Sequence, residues 1–335
     1  MQGKTPDGRR MKAIVTGGSS AQPQLAWTDV PDITPGPREV LIRVKATAVN
    51  RADLLQARGL YPPPPGITNI LGLEAAGDIV SLGEGVTAAQ AGDAVFALLP
   101  GGSYAEYVNA HEAMLLPKPK EWSYADAAAI PEAWYTAFLN LFIEGALRAG
   151  ERVLIHAGAS GVGTAAIQLA REAHAEVFVT TGSEAKLQRC RTLGATGVNY
   201  KEQDFAEEIR KLTAGTGVDV ILDCVGGSYL QKNLRLLRIG GRLVIIGLMG
   251  SREGTADFAL LLGKRLHLIG STLRNRSLEE KIQLTEKFKE RCWPDLLAGR
   301  TKPVIDKVFP IEQAADAHEY MRLNKNIGKI ILTVT

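Results

Sequence analysis

The hydrophobic pattern of the chain changes character along its length. Before about residue 117 the apolar positions form short β-branched segments such as EVLIRVKA at 39–46, separated by turn residues such as Pro-Gly-Pro at 35–37. From 152 to 271 apolar strands such as RVLIHA and VDVILDCV alternate with helical stretches. The pattern predicts a β-rich first part followed by a parallel sheet that helices cover on both faces.

The end of the chain returns to a different pattern. A long polar helix is predicted over 278–297, followed by a strand pattern at 303–309, a helix from Ile311 and an apolar strand at 328–334. We expect this tail to fold back onto the first domain. The predicted organisation is therefore a flexible extension at 1–10, a first domain formed by 11–134 and 276–335, and a second domain at 135–275.

Composition restricts the class of protein. The 335 residues are 45% hydrophobic and 22% charged, which is enough for two cores, and the net charge of +3 is spread along the chain. We therefore expect no nucleic-acid partner. No apolar run approaches the roughly 20 residues that span a bilayer, so we expect no membrane partner. Three widely spaced cysteines, Cys190, Cys224 and Cys292, suit a reducing compartment, and we expect a cytoplasmic protein.

A glycine-rich turn follows the first strand of the second domain. RVLIHA runs directly into GASGVG at 158–163, and helical spacing begins at Thr164. Glycines let the backbone approach a pyrophosphate, and the helix N-terminus supplies unpaired N–H groups and the positive end of a dipole. A glycine pattern alone also fits an ordinary tight turn. Its position at the start of a βαβ series favours a dinucleotide site.

The end of the next strand favours NADPH over NADH. An NAD-binding protein usually offers an acid to the ribose about twenty residues after the glycine turn, but here the sequence reads TGSEAK at 181–186. A small hydroxyl residue with a nearby lysine suits a 2′-phosphate. Two alternatives stay open, that Glu184 is the acid displaced by a residue or two, and that Lys186 is only a solvated helix residue.

Several stretches resemble the medium-chain dehydrogenase/reductase superfamily. GLEAAGDIVSLGEGV at 72–86 and AGDAV at 91–95 resemble its G-x-E-x-x-G…G-x-x-V…G-D-x-V signature. The zinc alcohol dehydrogenases of this superfamily carry a cysteine and a histidine where this chain reads VNRAD at 49–53 and GLE at 72–74, and their four-cysteine lobe is missing here. A tetrahedral zinc site lacks its ligands, so we assign no metal.

The chain is more specifically similar to the zinc-free quinone oxidoreductases related to zeta-crystallin, and among them to the animal branch that a tumour suppressor induces. The stretches that carry this similarity are AVNRADL at 48–54, YPPPPG at 61–66, NILGLE at 69–74, LLPGG at 98–102, AIPEAW at 129–134, IHAGASGVG at 155–163 and NKNIGKI at 324–330. The resemblance implies an α/β fold, with a Rossmann doubly wound parallel sheet and a β-rich, GroES-like catalytic domain.

What the resemblance implies for chemistry is metal-free hydride transfer from the nicotinamide C4 of NADPH to a bound quinone. Tyr61 and Ser160 match residues that lie beside the nicotinamide in relatives, and Asn50 and Asp53 fall on the loop that carries a zinc ligand in the zinc enzymes. These four are the predicted catalytic residues. Two alternatives stay open, that Tyr61 is a rim aromatic and that Asp53 only caps the following helix.

The predicted cofactor contacts are the residues of the glycine turn and those that match the family's contact motifs. They are Asn50, Thr136, Gly158, Ser160, Gly161, Val162, Gly163, Gly182, Ser183, Lys186, Tyr200, Cys224, Leu248, Leu273 and Asn326. Cys224 comes at the end of a predicted strand, where Rossmann ligands bind. A buried, inert thiol is the alternative for this cysteine.

Two other functions remain open. The same zinc-free architecture serves NADPH-dependent reductases of α,β-unsaturated carbonyls, such as alkenals or enoyl thioesters. A non-catalytic structural or RNA-binding role is also known among zeta-crystallin relatives, although the even charge balance does not favour RNA. The resemblance further implies a homodimer through the Rossmann domains, pairing edge strands near 245–248 or 266–270.

Overall fold

The structure, a computed structural model, describes residues 10–335. The predicted flexible extension at 1–10 lies outside the described residues except for Arg10, which is the first residue of a strand. The chain divides into two compact units. Unit 1 comprises the chain up to Glu132 together with Ser277–Glu286 and Ile305–Thr335, and unit 2 comprises Ala133–Arg276 and Lys287–Val304.

Strands and helices follow one another as the sequence pattern predicts. The strands are β1 (Arg10–Gly18), β2 (Pro23–Pro31), β3 (Glu39–Val49), β4 (Glu74–Leu82), β5 (Ala94–Leu98), β6 (Tyr107–His111), β7 (Leu115–Pro117), β8 (Arg152–Ile155), β9 (Glu176–Thr181), β10 (Thr196–Asn199), β11 (Val218–Asp223), β12 (Leu237–Ile245), β13 (His267–Gly270), β14 (Ile305–Pro310) and β15 (Lys329–Thr333). The helices are α1 (Arg51–Ala57), α2 (Tyr124–Ala128), α3 (Pro131–Phe138), α4 (Gly161–Glu172), α5 (Glu184–Thr192), α6 (Phe205–Leu212), α7 (Gly227–Leu236), α8 (Phe258–Lys264), α9 (Leu278–Arg291), α10 (Trp293–Leu297) and α11 (Ala314–Arg322). None of the helices within residues 10–335 is long and apolar enough to cross a membrane.

Unit 1 is built on a seven-stranded, mostly antiparallel sheet. Its strand order is β14-β15-β3-β4-β5-β7, and β6 pairs with β3. Val40, Ile42 and Val44 alternate along β3 and are fully buried, because every second side chain of a strand points to the same face. The end of the chain, which we expected to fold back onto the first domain, supplies β14 and β15 to this sheet.

Unit 2 is built on a six-stranded parallel sheet of order β10-β9-β8-β11-β12-β13. Counted within the unit, this is the strand order 3-2-1-4-5-6 of doubly wound dinucleotide-binding folds. Leu154, Phe178, Ile221 and Leu243 of the central strands are buried, as expected for a parallel sheet with helices on both faces. The predicted α/β class with a doubly wound sheet is confirmed.

The unit boundaries differ from the predicted ones in one segment. The prediction gave all of 276–335 to the first domain, whereas Lys287–Val304 belongs to unit 2. Several side chains join this segment to unit 2, among them Gln168, which exchanges two hydrogen bonds with the Lys302 backbone, and an aromatic residue of α9. Phe288 stacks on Tyr135 with ring centroids 4.5 Å apart and meets Phe138 edge-on at 5.8 Å. The polar pattern of this helix gave no signal for such a contact.

The sheet order also bears on the two stretches, 245–248 and 266–270, that were predicted to pair in a dimer. The strand that ends at Ile245, β12, pairs with β11 on one side and with β13 on the other. Strand β12 is therefore an interior strand of the sheet, and its backbone hydrogen bonds up to Ile245 are already taken within the unit. The alternative stretch 266–270 contains β13, which is an edge strand of the six-stranded sheet.

Candidate active site

The glycine turn of unit 2 packs closely against the start of α4. Ser160 is the N-cap of α4, and its hydroxyl accepts a hydrogen bond from the Gly163 N–H at 3.0 Å. A Cβ on Gly163 would lie 2.5 Å from the carbonyl oxygens of Ala157 and Gly158. No larger residue fits there without moving the backbone, so the turn lies directly against the start of the helix.

This arrangement fits the pyrophosphate of a dinucleotide. The turn follows β8, which lies next to β11 in the sheet, and the strand order reverses between these two strands. Open α/β sheets bind ligands at such a switch point. The first N–H groups of α4, those of Gly161 and Val162, have no acceptor within the helix. They are available to a phosphate together with the positive end of the helix dipole.

The predicted ribose end of the site is a compact group of polar residues after β9. A Cβ on Gly182 would lie 2.8 Å from the Tyr200 hydroxyl and 3.4 Å from Lys201 Cε. Ser183 is the N-cap of α5, and its hydroxyl accepts the N–H of Lys186 at 3.4 Å. The Tyr200 hydroxyl and the Lys201 side chain therefore lie at the place where NAD-binding proteins offer an acid.

Two observations refine the sequence prediction at this end. Glu184, the alternative ribose ligand, forms an exposed ion pair with Arg191 of its own helix at 2.5 Å. Lys201 was not predicted, although it follows the predicted Tyr200 directly in the sequence. The sequence alone did not indicate Lys201 as a cofactor contact, because Lys201 reaches Gly182 only through the pairing of β10 with β9.

The remaining predicted contacts in unit 2 have different environments. Cys224 follows β11, and its thiol lies 3.8 Å from the carbonyl oxygen of His156. Leu248 is exposed and borders Gly226, whose Cβ position lies 2.8 Å from Leu248 Cδ2. Thr136 is half-buried in α3. Leu273 is buried, and its predicted cofactor contact stays a prediction.

The side chains of Asn50, Glu74 and Lys329 in unit 1 form a closed triangle of polar contacts. The Asn50 amide nitrogen donates to Glu74 Oε1 at 2.7 Å, and its oxygen accepts from Lys329 Nζ at 2.6 Å. Lys329 also pairs with Glu74 at 2.7 Å, with side chains 4% and 0% exposed. The second Asn50 N–H is directed at the Ala48 carbonyl oxygen at 3.4 Å. What Asn50 can still offer a ligand is a lone pair on its oxygen.

Asp53, a predicted catalytic residue, lies inside the protein and not on a surface. Its side chain is fully buried and accepts the N–H groups of Asn50 at 2.8 Å and Gly72 at 3.0 Å. The Tyr104 hydroxyl lies 3.4 Å from the same carboxylate and 3.1 Å from His318 Nε2. Asp53 therefore holds the start of α1 and the Gly72 loop in place. The alternative that Asp53 itself caps a helix beginning near Leu54 needs correction, because α1 begins at Arg51 and its N-cap is Asn50.

Two predicted residues of unit 1 lie in loops. Tyr61 is half-buried in the segment between α1 and β4. Asn326 is buried, and its amide nitrogen donates to the Gly328 carbonyl oxygen at 2.8 Å. The Asn326 amide thus helps to hold the turn just before β15, and its predicted cofactor contact stays a prediction.

Comparisons with known proteins agree with this architecture. Residues 36–120 match the family model described as alcohol dehydrogenase GroES-like domain, and residues 161–288 match the model described as zinc-binding dehydrogenase. The chain is 34% identical to the quinone oxidoreductase of Rattus norvegicus over 308 residues, which are 91% of this chain and 92% of that protein. It is also 34% identical over 313 residues to the rat synaptic vesicle membrane protein VAT-1 homolog, covering 89% of this chain and 77% of that protein.

Among solved structures, the CurK enoyl reductase superposes with a TM-score of 0.83 at 33% identity, covering 98% of this chain and 100% of that one. The rat quinone oxidoreductase matches over nearly the whole of both chains at 34% identity, and this decides the family. The chain is a medium-chain dehydrogenase/reductase. The GroES-like assignment of the first domain is thereby confirmed.

As a medium-chain dehydrogenase/reductase the protein is an oxidoreductase that uses a nicotinamide cofactor. One matching model is described as zinc-binding, yet Val49, Asn50 and Leu73 occupy the stretches where zinc members carry cysteine and histidine. Residues 10–335 contain no group of three or more His, Cys, Asp or Glu side chains that would hold a metal ion. The site that the structure does contain is the triangle of Asn50, Glu74 and Lys329. Sequence reasoning found only its first member.

Proposed function

We propose that this oxidoreductase is an NADPH-dependent quinone reductase that works without a metal. The observation that carries the proposal is that, within residues 10–335, the ionisable side chains that contact Asn50 are already paired or hydrogen-bonded within the protein. Glu74 and Lys329 neutralise each other, while Asp53 and His318 are buried and hydrogen-bonded. Such a site positions an acceptor and leaves protonation to solvent. Quinones suit it because water can protonate their oxygens after reduction.

Each part of the chain has a simple task in this proposal. NADPH, when bound, supplies the hydride from its nicotinamide C4. The turn at 158–163 and the N-terminus of α4 bind the pyrophosphate. Asn50 accepts one hydrogen bond through its oxygen. Tyr61 offers the acceptor a flat ring and a hydroxyl donor.

The deciding assay measures NADPH oxidation against a panel of quinones, with NADH, an enal and an enoyl thioester run in parallel. Quinone-dependent turnover with NADPH is the expected result. Tyr61→Phe then lowers kcat/KM about 10- to 100-fold if its hydroxyl aids the transfer. Turnover with the enal or the thioester alone would move the protein to the double-bond reductases, and tight NADPH binding without any turnover would favour a non-catalytic role.

The preference for NADPH is supported by the hydroxyl groups and lysines around Gly182. Lys201→Glu brings a negative charge to the proposed 2′-phosphate and should raise KM for NADPH at least about tenfold, which is about 1.4 kcal/mol. KM for NADH should change little, because NADH carries no 2′-phosphate. Lys211→Glu, the same change on an exposed residue of α6, is the control. Equal effects on both cofactors would contradict the assignment.

The second candidate is reduction of a carbon–carbon double bond next to a carbonyl. The similarity to the CurK enoyl reductase over 98% of the chain favours it. Such a reaction needs a proton donor for the α-carbon, and Tyr61 is the residue of unit 1 that we assign to that task. Retention of enoyl reduction by Tyr61→Phe would count against Tyr61 as the proton donor, and no turnover of the enal or the thioester by the wild type would count against this candidate.

We further propose that the protein is a cytoplasmic homodimer that pairs through unit 2. Its three cysteines are free thiols, which suits a reducing compartment. β13 lies at the edge of the six-stranded sheet, and Leu268 at its centre is exposed. None of the residues of the neighbouring α8 is buried. An unpaired edge with apolar side chains beside it is a ready template for a second copy.

A further inference from the structure

Four buried polar side chains form a continuous hydrogen-bonded chain in unit 2. Thr180 near the end of β9, His156 after β8, Asn233 of α7 and Asp223 at the end of β11 are each 3% exposed or less. His156 Nδ1 lies 2.9 Å from the Thr180 hydroxyl and Nε2 lies 2.8 Å from Asn233 Oδ1. Asn233 Nδ2 donates to Asp223 Oδ2 at 3.2 Å. The chain crosses the sheet at its carboxyl edge, where the glycine turn begins.

The direction of every hydrogen bond in this chain is determined. The Asp223 carboxylate only accepts, so the Asn233 amide nitrogen must face it and the Asn233 oxygen must face His156. His156 Nε2 therefore carries a proton. Burial lowers the pKa of His156 below its usual 6.5, so the ring is neutral and Nδ1 accepts the Thr180 hydroxyl proton.

Both ends of the hydrogen-bonded chain, Thr180 and Asp223, hold loops that carry predicted cofactor contacts. The Thr180 carbonyl oxygen accepts the Gly158 N–H of the glycine turn at 3.0 Å. Asp223 accepts the N–H groups of Val225 at 2.7 Å and Gly226 at 3.2 Å, in the loop after β11. The two loops flank the switch point of the sheet. A shift of either end would change the spacing between them.

We propose that His156 is a positioning residue, which sets the spacing between the glycine turn and the β11 loop for binding of the nicotinamide dinucleotide. Its ring packs edge-on against Phe205 and Tyr229, with centroid distances of 5.1 and 4.9 Å, so the imidazole has one orientation. A buried polar chain is favourable only when each member is satisfied. The proposal rests on cofactor binding by unit 2 and is independent of the acceptor that the enzyme reduces.

The test compares His156→Phe, which removes the donor and the acceptor, with His156→Gln, which retains one of each. NADPH affinity is measured by fluorescence titration, and kcat and KM are measured with the best acceptor. We expect His156→Phe to raise both Kd and KM for NADPH about tenfold, because two buried hydrogen bonds are lost. We expect kcat to stay within about twofold, and His156→Gln to recover at least half of the affinity on a logarithmic scale.

Phe205→Leu is the matched control. It removes packing from the same imidazole but leaves the hydrogen-bonded chain intact, so it should lower the melting temperature while Kd stays within about twofold. Thr180→Val is the second variant if His156→Phe does not fold. It breaks only the terminal hydrogen bond, retains the carbonyl oxygen that binds Gly158, and should raise Kd about threefold.

The outcomes separate the inference from the proposed function. Wild-type affinity in folded His156→Phe or Thr180→Val overturns the positioning role. So does a loss of affinity in Phe205→Leu as large as in His156→Phe, because packing would then explain both. A wild-type protein that binds neither NADPH nor NADH overturns the cofactor assignment and the inference together, and that failure shows in the wild type alone.

Discussion

Two buried ionisable side chains of unit 1 have pKa values that are displaced in opposite directions. Burial raises the pKa of Asp53 to about 6 and lowers the pKa of His318 to about 4. The Tyr104 hydroxyl lies between them, 3.4 Å from the carboxylate and 3.1 Å from the imidazole. The folded protein thus prefers the neutral form of each group. Their contributions to stability depend on pH with opposite signs.

The contribution of His318 is the larger one between pH 7 and pH 5. Its folded pKa lies below the unfolded value of 6.5, so the unfolded state binds the extra proton and stability is lost as pH falls. Relative to His318→Phe, the unfolding free energy of the wild type should fall by about 2 kcal/mol over this range. Urea unfolding at several pH values measures it. Parallel pH curves for the two proteins would contradict the prediction, since Asp53 titrates in both.

The pair of Glu74 and Lys329 behaves as a unit. Both side chains are almost fully buried at 2.7 Å from each other, so Lys329→Met leaves an unpaired buried carboxylate and should cost about 3–5 kcal/mol. The double variant Glu74→Gln/Lys329→Met removes both charges. We expect it to be more stable than the sum of the single changes by about 2 kcal/mol or more.

A double-mutant cycle from urea unfolding measures this coupling. The exposed pair of Glu319 and Arg322 serves as the reference, and there we expect almost no coupling. Additive effects at Glu74 and Lys329 would mean that the triangle with Asn50 does not act as one group. In that case the orientation of the Asn50 amide would need another explanation.

At the scale of elements, the start of α4 depends on one glycine. Gly163→Ala places a methyl group 2.5 Å from two carbonyl oxygens, so the turn must move away from the helix. We expect a loss of about 1–3 kcal/mol in stability and a tenfold or larger rise in Kd for NADPH, about 1.4 kcal/mol. Gly17→Ala in β1, where a Cβ meets nothing within 4 Å, is the control. Unchanged cofactor affinity in Gly163→Ala would remove the turn from the binding site.

The sequence predicted those elements that depend only on residues close together in the chain. The glycine turn, the helix after it and the alternation in β3 follow from the spacing of neighbouring residues. A capping role for Asp53 was an open alternative for the same reason, although the helix begins three residues earlier than expected and its N-cap is Asn50. The family resemblance added the GroES-like assignment of the first domain.

The rest depends on contacts between distant parts of the chain. Lys329 and Glu74 are 255 residues apart, and Lys201 reaches Gly182 only because β10 pairs with β9. Phe288 joins unit 2 through one stacked ring within an otherwise polar helix. No pattern along a single sequence fixes which strands become neighbours, so these partners could not be predicted.

At the scale of the whole molecule, the proposed dimer edge carries an unusual amount of apolar surface. Phe258 and Leu262 of α8 are 70% and 76% exposed, and Leu268 of β13 is 41% exposed. Residues four apart on a helix lie on the same face, so the two side chains of α8 form one patch. Water contact with such a patch is unfavourable, at about 25 cal/mol for each Å². A second copy that covers the patch removes this contact with water, and the gain offsets part of the entropy that association costs.

Two negative charges introduced on this face of α8 should therefore separate the two copies of the proposed dimer. We expect the wild type to elute with twice the chain mass of 36.0 kDa in size-exclusion chromatography with light scattering, and Phe258→Glu/Leu262→Glu to elute with the single mass. Leu297→Glu, the same change on another exposed leucine, should remain dimeric. A monomeric wild type, or a dimeric double variant, would contradict pairing through this edge. Retention of NADPH binding by the monomeric variant would further show that unit 2 holds its cofactor without a partner.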